Sequence, residues 1–458
     1  MNKIDVLQNL QQVFSIELKT SKILVVGLGK TGMSVAAYLR QLGLEFALVD
    51  SRKNPPFNDV LLERMPDVPV FTGHFEPAIF SLATHLVVSP GISMEEPVIQ
   101  EALARGVIAL SDIDLFACST NKPIIAITGS NGKSTVTTLL GVMAKEQAVP
   151  VAVGGNLGTP ALDLLDKAVQ LYILELSSFQ LERTTQLNAV ASTVLNISED
   201  HLDRYSGMDA YIQQKYKVFA GDGLMVLNSD DAVVLAMNNS EREVRTFSLL
   251  DEQADYHLMD REGERYLAVH QRPLLAVKDM LLLGRHNEAN ALAALALGHA
   301  VSFSDVAMCT ALKHYRGLKH RMQFVADIRG VRWVNDSKAT NVGACIAALE
   351  GIGGKDIILI AGGDAKGADM QPLVSVLESK VKQLVLIGKD SALIKQAVNN
   401  RLPVLEADSL EQAIALIEQN AHTGDTVLLS PACASLDQFA NYQERGNCFV
   451  QAVQALEK

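Results

Sequence analysis

Short apolar runs recur at residues 23–26, 46–49, 86–88, 124–127, 171–174, 190–195, 224–227, 357–360, 384–387 and 427–429, and most of them close on Gly, Asp, Glu or Ser. Turns and stretches of helical spacing separate them, the repeating strand–turn–helix pattern of α/β proteins. The first repeat is legible in full. The run 23–26 ends at Gly27, a helix is predicted over 32–41, Gly43 closes it, and 46–49 runs into Asp50. Such a βαβ unit builds a parallel sheet, and parallel sheets place ligands at the carboxyl ends of their strands. Upstream, Ile4, Leu7, Leu10 and Phe14 share one face of a predicted helix. The pattern restarts before Lys122, and again near 315–319 after an Ala/Leu-rich helix at 290–300. These restarts divide the chain into 1–112, 113–317 and 318–458.

Composition narrows the function. The 458 residues include 52 Asp and Glu against 40 Lys and Arg, a formal net charge of −12, with 48% apolar residues. That length corresponds to roughly three domains. The acidic balance excludes general electrostatic attachment to nucleic acid or anionic membrane, but not a local basic pocket. No run reaches the roughly 18 apolar residues of a membrane span, and Asp5, Gln8, Gln11 and Gln12 interrupt any secretory signal core. Cys118, Cys309, Cys345, Cys433 and Cys448 form no CxxC or CxxH pair, so no zinc site or disulfide framework is predicted. A cytoplasmic monomer acting on small molecules is expected.

Two glycine-rich turns carry candidate chemistry. GLGKTG (27–32) lies between a strand and a helix, and Asp50 stands 18 residues past Gly32. Alone this reads as a dinucleotide site, with phosphate at the helix N-terminus and the acid on a ribose, or as a plain βα turn. TGSNGKST (128–135) follows the strand 124–127 and opens a helix. Ile127 stands where the strict phosphate-loop pattern has its first Gly, yet every chemically needed part is kept. Backbone N–H groups cradle phosphates, Lys133 reaches them, and the Ser134 hydroxyl serves Mg²⁺.

Polar residues at other strand ends acquire meaning beside that loop. LYILELSSFQ (171–180) places Glu175 at a strand end, where a carboxylate would sit beside Mg²⁺. NISEDHLDR (196–204) follows another strand and supplies His201, otherwise a solvated loop. Asn287 and Asn290 head an apolar helix, where Asn serves as a cap. His320 and Arg321, NDSKATN (335–341), GGDAKG (362–367) and SPACASLDQF (430–439) are polar loops, three of them at strand ends of one domain, which predicts a shared cleft.

Taken together, TGSNGKST, LELSSFQLE, EDHLDRY, GRHNEANALAALAL, GLKHR, NDSKATN, GGDAKGAD and SPACASLDQF resemble the Mur ligases over nearly the whole chain. The first is common in form to all Mur ligases and to folylpolyglutamate synthases, whereas LSSFQLE and SPACASLDQF look specific to the branch that adds D-glutamate. The resemblance implies an α/β fold of three domains. A Rossmann-like N-terminal domain holds a UDP group, and a central phosphate-loop ATPase domain has a mostly parallel sheet. A C-terminal Rossmann-like domain closes over ATP and binds the incoming amino acid.

Residue roles follow from the same resemblance. Lys30, Thr31, Asp50, Ser51, Arg52, Ser89 and Gly91 match the UDP-sugar site, and Asn156 and His201 match the muramoyl-alanine side. Gly129, Ser130, Asn131, Gly132, Lys133, Ser134 and Thr135 match the phosphate loop; Asn287, Asn290, Arg321, Asp336 and Lys338 match the remaining ATP contacts. Ser134 and Glu175 match ligands of one Mg²⁺ and His201 a ligand of a second. Lys215 matches a carbamylated lysine that ligates metal, although the residues alone read it as a surface lysine and offer Lys217 equally. Thr340, Lys366, Ser435, Leu436 and Tyr442 match the D-glutamate site.

The implied reaction is ATP-dependent amide formation. ATP phosphorylates the carboxylate of UDP-N-acetylmuramoyl-L-alanine, and the amine of D-glutamate attacks the acyl phosphate. Carboxylate and triphosphate repel, so Mg²⁺, Lys133 and positioning account for the residue types. Lys133, Glu175, His201, Lys215 and Lys338 form the implied catalytic set. Rival readings are a ligase of the same fold with another amino acid, an NAD-dependent oxidoreductase built on GLGKTG and Asp50, and a non-catalytic phosphate-loop regulator.

Overall fold

A computed structural model describes residues 1–166, 168–198, 204–282 and 284–456. Among the described residues twenty strands fall in three sheets. The first holds β1 (Ile23–Val26), β2 (Phe46–Asp50), β3 (Val70–Thr72), β4 (His85–Val88) and β5 (Ile108–Leu110), all parallel, in the order β3-β2-β1-β4-β5. The order reverses between β1 and β4, so their carboxyl ends, Gly27 and Ser89, flank the crevice where such sheets bind ligands.

The second sheet holds β6 (Ile124–Thr128), β7 (Val151–Gly155), β8 (Leu171–Glu175), β9 (Ala191–Val194), β10 (Leu224–Asn228), β11 (Val244–Ser248), β12 (Tyr256–Arg261), β13 (Glu264–Val269) and β14 (Arg272–Ala276). Its order is β14-β13-β12-β11-β10-β9-β6-β8-β7, parallel from β12 through β7. All five residues of β6 and of β8 are buried, as strands covered on both faces must be. The third sheet holds β15 (Gln323–Ile328), β16 (Val331–Asn335), β17 (Ile357–Gly362), β18 (Val381–Ile387), β19 (Val404–Glu406) and β20 (Thr426–Leu429), ordered β15-β16-β20-β17-β18-β19. Only the edge hairpin β15–β16 is antiparallel.

The chain divides into two compact units. One comprises Met1–Met259, Ala268–Leu274 and Asn290–Thr310; the other comprises Asp260–Leu267, Leu275–Ala289 and Ala311–Lys458. In the first unit, residues flanking the five-stranded sheet and residues of β6 and β8 share one apolar cluster, including Leu28, Leu115, Phe116, Ala126 and Leu174. In the second, the two faces of the third sheet bury separate clusters around Leu359 and Trp333.

Several expected elements shift for identifiable reasons. The helix predicted over 32–41 is Lys30–Leu42, because extended Gly29 caps it and Gly32 lies within its first turn. Helix Lys3–Phe14 buries Val6, Leu10 and Phe14, while Ile4 is exposed; a capping box from Asn2 and Asp5 sets its start. The helix expected at 290–300 begins at Arg285, so Asn287 and Asn290 lie inside its first turns and do not cap it. All five cysteines are free thiols. Among the described residues no helix is long and apolar enough to cross a membrane.

Gly362, at the end of β17, adopts φ +116°, and a Cβ there would lie 2.0 Å from the Ile387 carbonyl oxygen. Gly362→Ala is expected to destabilise the protein by about 2 kcal/mol or more, read by calorimetry as a transition several degrees lower. An unchanged transition would contradict the close β17–β18 approach.

Candidate active site

The phosphate loop grows out of β6. Gly129 (φ +147°) and Gly132 (φ +83°) turn the chain, and helix Lys133–Glu146 starts directly after them. Both glycines are closely approached: a Cβ at Gly129 would meet Leu195 at 3.0 Å, and one at Gly132 would meet Asn290 Oδ1 at 2.3 Å, and both positive φ values disfavour a side chain. The loop is braced from the end of β9. The Ser130 N–H donates to the Asn196 carbonyl (2.9 Å), and the Asn131 N–H donates to Asn196 Oδ1 (2.8 Å). Ser130 Oγ bonds the Tyr211 hydroxyl (3.0 Å) and accepts from the Ser198 N–H (3.0 Å). Lys133 Nζ curls back to donate to the carbonyls of Gly129 (2.6 Å) and Ser130 (2.8 Å), keeping its charge at the loop. Ser134 is buried in the first helical turn, and Thr135 follows it half-buried. A helix N-terminus with an ammonium beside it is an anion site.

Glu175 ends β8, and Ile127 pairs with it in register, so the carboxylate leaves the sheet beside the loop. It is 2% exposed. Asn156 Nδ2 donates to its Oε1 at 2.6 Å, and its buried Oε2 has no hydrogen-bond partner. A buried carboxylate oxygen in that position suits a cation ligand. Among the described residues there is no group of three or more His, Cys, Asp and Glu able to hold a metal. A cation at this carboxylate would be within the chemistry of the Ser134 hydroxyl and of phosphate oxygens, the oxygen donors that Mg²⁺ takes.

Lys215 is not the surface lysine that its neighbours suggest. It is 1% exposed on helix Met208–Tyr216, with Nζ 2.8 Å from the Gly129 carbonyl, 3.4 Å from Thr128 Oγ1 and 4.8 Å from the centre of the Tyr211 ring. Tyr211 and Lys215, four apart, share the helix face turned to the loop. Lys217 is separated from it; its ammonium donates to the Glu182 carbonyl. Residues 199–203, with His201, lie outside the described residues.

The first glycine-rich turn is closed differently from the dinucleotide reading. Gly27 (φ +99°) would place a Cβ 2.9 Å from that of Ser89, and one at Gly32 would lie 1.9 Å from the Gly27 carbonyl oxygen, while Gly29 is open. Ser89 Oγ donates to the Gly27 carbonyl (3.0 Å). Asp50 is buried, and its carboxylate is used internally. Oδ2 accepts from the Leu28 N–H (2.7 Å) and Arg52 Nη2 (2.7 Å); Oδ1 accepts from Arg52 Nε and N–H (2.9 Å each). Burial alone would raise its pKa, but Arg52 and the Leu28 N–H hold it below the usual range. Asp50 thus aims the half-exposed Arg52. Lys30, Ser51 and Gly91 are exposed, and Thr31 is half-buried. Lys30 donates to the Gly158 carbonyl.

The second unit joins its polar loops through buried hydrogen bonds. Asp336 Oδ1 accepts from the Met322 N–H (3.1 Å), next to exposed Arg321, and Oδ2 accepts from Ser430 Oγ (2.9 Å). Ser337 Oγ donates to the Tyr442 carbonyl (2.9 Å), and Lys338 Nζ lies 5.5 Å from the Tyr442 ring centre. Thr340 donates its N–H to the Lys338 carbonyl (2.8 Å). Asp364 and Ala434 exchange backbone hydrogen bonds, which join the loop of exposed Lys366 to that of buried Ser435 and exposed Leu436. Asn287 is buried in the first turn of its helix.

Arg445 was not foreseen. It is 1% exposed and donates to Ser337 Oγ (3.0 Å), to the Ser337 carbonyl (2.9 Å) and to the Cys433 carbonyl (3.2 Å), holding two loops at once. Burial lowers its pKa to about 10. The four-residue spacing Arg445, Phe449, Val453 along helix Tyr442–Ala455 is the signal that turns it inward.

Fold and loop define a parallel α/β protein built around a phosphate-binding loop, with a metal-competent carboxylate on the neighbouring strand. Three family models match it: "Mur ligase MurD-like, N-terminal domain" at residues 21–111, "Mur ligase middle domain" at 127–298, and "Mur ligase, glutamate ligase domain" at 320–433. The chain belongs to the Mur ligase family. Curated relatives include a UDP-N-acetylmuramoylalanine–D-glutamate ligase of Methylococcus capsulatus, 52% identical with 95% of each chain covered. Another of the same name from Pseudomonas syringae pv. syringae is 49% identical, covering 94% of this chain and 98% of that one. Among solved structures, a pseudomurein peptide ligase type C of Methanothermus fervidus (TM-score 0.57, 17% identity, 95% and 100% covered) shares the fold. So does a UDP-N-acetylmuramate-alanine ligase of Thermotoga maritima (TM-score 0.57, 18% identity, 95% and 99% covered).

Burial raises the pKa of Asp336 from 3.8 to about 7, against the opposing bonds of Ser430 and the Met322 N–H. The folded state therefore holds a proton that the unfolded chain releases, and stability tied to it falls as pH rises from about 4 to about 7. Asp336→Asn is expected to remove that fall. Measured by thermal unfolding, the variant should gain on the parent across this window and then run parallel to it. Parallel curves throughout would refute the assignment.

Proposed function

We propose that this chain is an ATP-dependent, ADP-forming ligase that joins D-glutamate to UDP-N-acetylmuramoyl-L-alanine in cytoplasmic peptidoglycan precursor synthesis. The observation that carries the reading is identity near 50% to ligases of that name over about 95% of the chain. In this reading the domains are 1–112 for the UDP substrate, 113–317 for ATP, and 318–458 for the amino acid and the closing of ATP, in a monomer.

Lys30, Thr31, Asp50, Ser51, Arg52, Ser89 and Gly91 take the UDP group, with Asn156 and His201 toward the alanine. Arg52, aimed by Asp50, supplies the cation there. Residues 129–135 take the triphosphate. For a phosphate to bind, Lys133 must leave the Gly129 and Ser130 carbonyls for phosphate oxygens, which exchanges neutral acceptors for charged ones. Asn287, Asn290, Arg321, Asp336 and Lys338 complete the nucleotide contacts. Thr340, Lys366, Ser435, Leu436 and Tyr442 take D-glutamate, Lys366 pairing with its side-chain carboxylate.

The alanine carboxylate attacks the γ-phosphorus in line and ADP leaves. The neutral D-glutamate amine then adds to the acyl phosphate, the added nitrogen gives up a proton to solvent, and the tetrahedral intermediate expels phosphate to leave an amide. Mg²⁺ ions at Ser134, Glu175, His201 and Lys215 would neutralise the phosphoryl oxygens and reduce the repulsion between the two anions. Lys215 would serve only as its carbamate, formed from the neutral amine and CO₂ with loss of a proton, after Nζ leaves the Gly129 carbonyl.

Phosphate release from ATP with UDP-N-acetylmuramoyl-L-alanine and a panel of amino acids tests the reading. Release with D-glutamate alone is expected; equal release with L-alanine or a diamino acid would overturn it, and hydride transfer to NAD without ATP turnover would overturn the reaction class. Lys133→Ala is expected to lower kcat by at least about a thousandfold while binding of the UDP substrate, measured by calorimetry, persists. For the carbamate, a ¹³C-bicarbonate carbonyl signal present in the parent is expected to vanish in Lys215→Ala; its survival would place the adduct elsewhere.

A further inference from the structure

LSSFQLE and EDHLDRY single themselves out in the sequence, yet the reaction uses neither Glu182 nor Arg204. In the structure these two form an ion pair, Arg204 Nη2 to Glu182 Oε2, at 3.1 Å. Arg183 Nη2 approaches the same carboxylate oxygen at 3.3 Å. Both guanidinium groups also converge on one backbone atom, the Ile92 carbonyl oxygen, Arg183 at 2.5 Å and Arg204 at 2.8 Å. Ile92 closes the turn that begins at Ser89, donating its N–H to the Ser89 carbonyl (3.0 Å).

The arginine-bearing segment is held from the other side as well. Arg183 Nη1 donates to the Phe179 carbonyl (2.5 Å), and the Arg204 guanidinium lies 4.8 Å from the Phe179 ring centre. Phe179 in turn stacks on Tyr205 with ring centres 6.0 Å apart. Downstream, the N–H groups of Thr185 and Gln186 donate to Asp114 Oδ1, each at 2.7 Å. This stretch is covalently continuous with Glu175.

We infer that Arg183 and Arg204 are positioning residues that lock the Ser89–Ile92 turn to the segment following Glu175, and so set the distance from the bound UDP substrate to the phosphate loop. The inference rests on the reading of Ser89 and Gly91 as part of the UDP-substrate site. A substrate anchored at that turn must deliver a carboxylate to a γ-phosphate held beside Glu175. Misplacement of about 1 Å at such a junction costs far more rate than one hydrogen bond is worth. The side chain of Arg183 is 1% exposed, and those of Glu182 and Arg204 are 16% exposed, so solvent relaxes the junction little.

The test compares Arg183→Lys, Arg204→Lys and Glu182→Gln in the full chain by steady-state kinetics, with Arg52→Ala alongside. Lysine keeps the charge but cannot reproduce the fork of guanidinium donors. For the clamp variants the KM for UDP-N-acetylmuramoyl-L-alanine is expected to rise about tenfold, with kcat reduced, while the KM values for ATP and D-glutamate stay within about twofold. The double arginine variant is expected to lose less than the product of the two single losses, because both side chains serve one carbonyl. If Arg183→Lys does not fold, the more exposed Arg204→Lys carries the test. Unchanged UDP-substrate KM in the clamp variants, or an equal rise in all three KM values, would overturn the clamp. Arg52→Ala separates the two readings. If it raises the UDP-substrate KM and the clamp variants do not, the clamp alone fails; if it too has no effect, the UDP-site reading fails and the clamp with it.

Discussion

Parallel pairing of β6 with β8, in the register that sets Ile127 beside Glu175, decides where charge can be placed in the first unit. A one-residue slip would turn every side chain of β8 to the opposite face. The observed register brings a buried carboxylate to the sheet edge where the phosphate loop begins, and the loop geometry follows from what surrounds that edge. Leu195 and Asn290 approach Gly129 and Gly132 closely, and both glycines hold positive φ values that side chains disfavour. Asn196 takes up the Ser130 and Asn131 N–H groups. Lys215 completes the enclosure from the helix Met208–Tyr216. Strand pairing, backbone conformation and side-chain chemistry therefore constrain one another at a single point.

A net charge of −12 is poorly suited to anionic ligands, and the structure resolves the conflict locally. Cations sit where their charge is directed. Arg52 is aimed by a carboxylate that the Leu28 and Arg52 backbone N–H groups also hold in place. Lys133 folds back over the Gly129 and Ser130 carbonyls, which keeps its ammonium at the loop. In the second unit burial pushes the Asp336 carboxyl up to about 7, so its negative charge beside Arg321 develops only as pH approaches neutrality. Distant surface acids contribute little at such short range, since solvent and salt screen them beyond roughly 8–10 Å.

Much of this was legible from residue order alone, for physical reasons. Strands buried on both faces read as unbroken apolar runs, and glycines forced by close approach stand out in βα turns, so β1, β6 and both glycine-rich loops were predictable. Glu175 was identifiable because a strand-end acid gains meaning beside a phosphate loop. Burial of Lys215 was not, since it depends on Tyr211 and on the carbonyl of a loop remote in sequence. Asp50 misled in the opposite sense: its spacing from Gly32 suits a ribose, yet Arg52, two residues on, occupies both oxygens. Arg445 escaped because a charged residue in a polar helix looks solvated until the Phe449 and Val453 positions are known to face inward.

The arginine pair poses the sharpest energetic question. Two like charges and one carboxylate lie almost out of solvent, and Arg183 Nε has no hydrogen-bond partner. Burial lowers the pKa of Arg183 to about 10, against the attraction of Glu182. Buried ion pairs rarely return their desolvation cost, and apolar residues of similar shape would commonly give a more stable fold. Stability therefore does not explain the arrangement. What an apolar replacement could not supply is direction. A guanidinium fork fixes distance and angle to a carbonyl, whereas methyl groups tolerate sliding. A ligase that must bring a tethered carboxylate into line with a phosphate needs a fixed distance more than a further increment of stability.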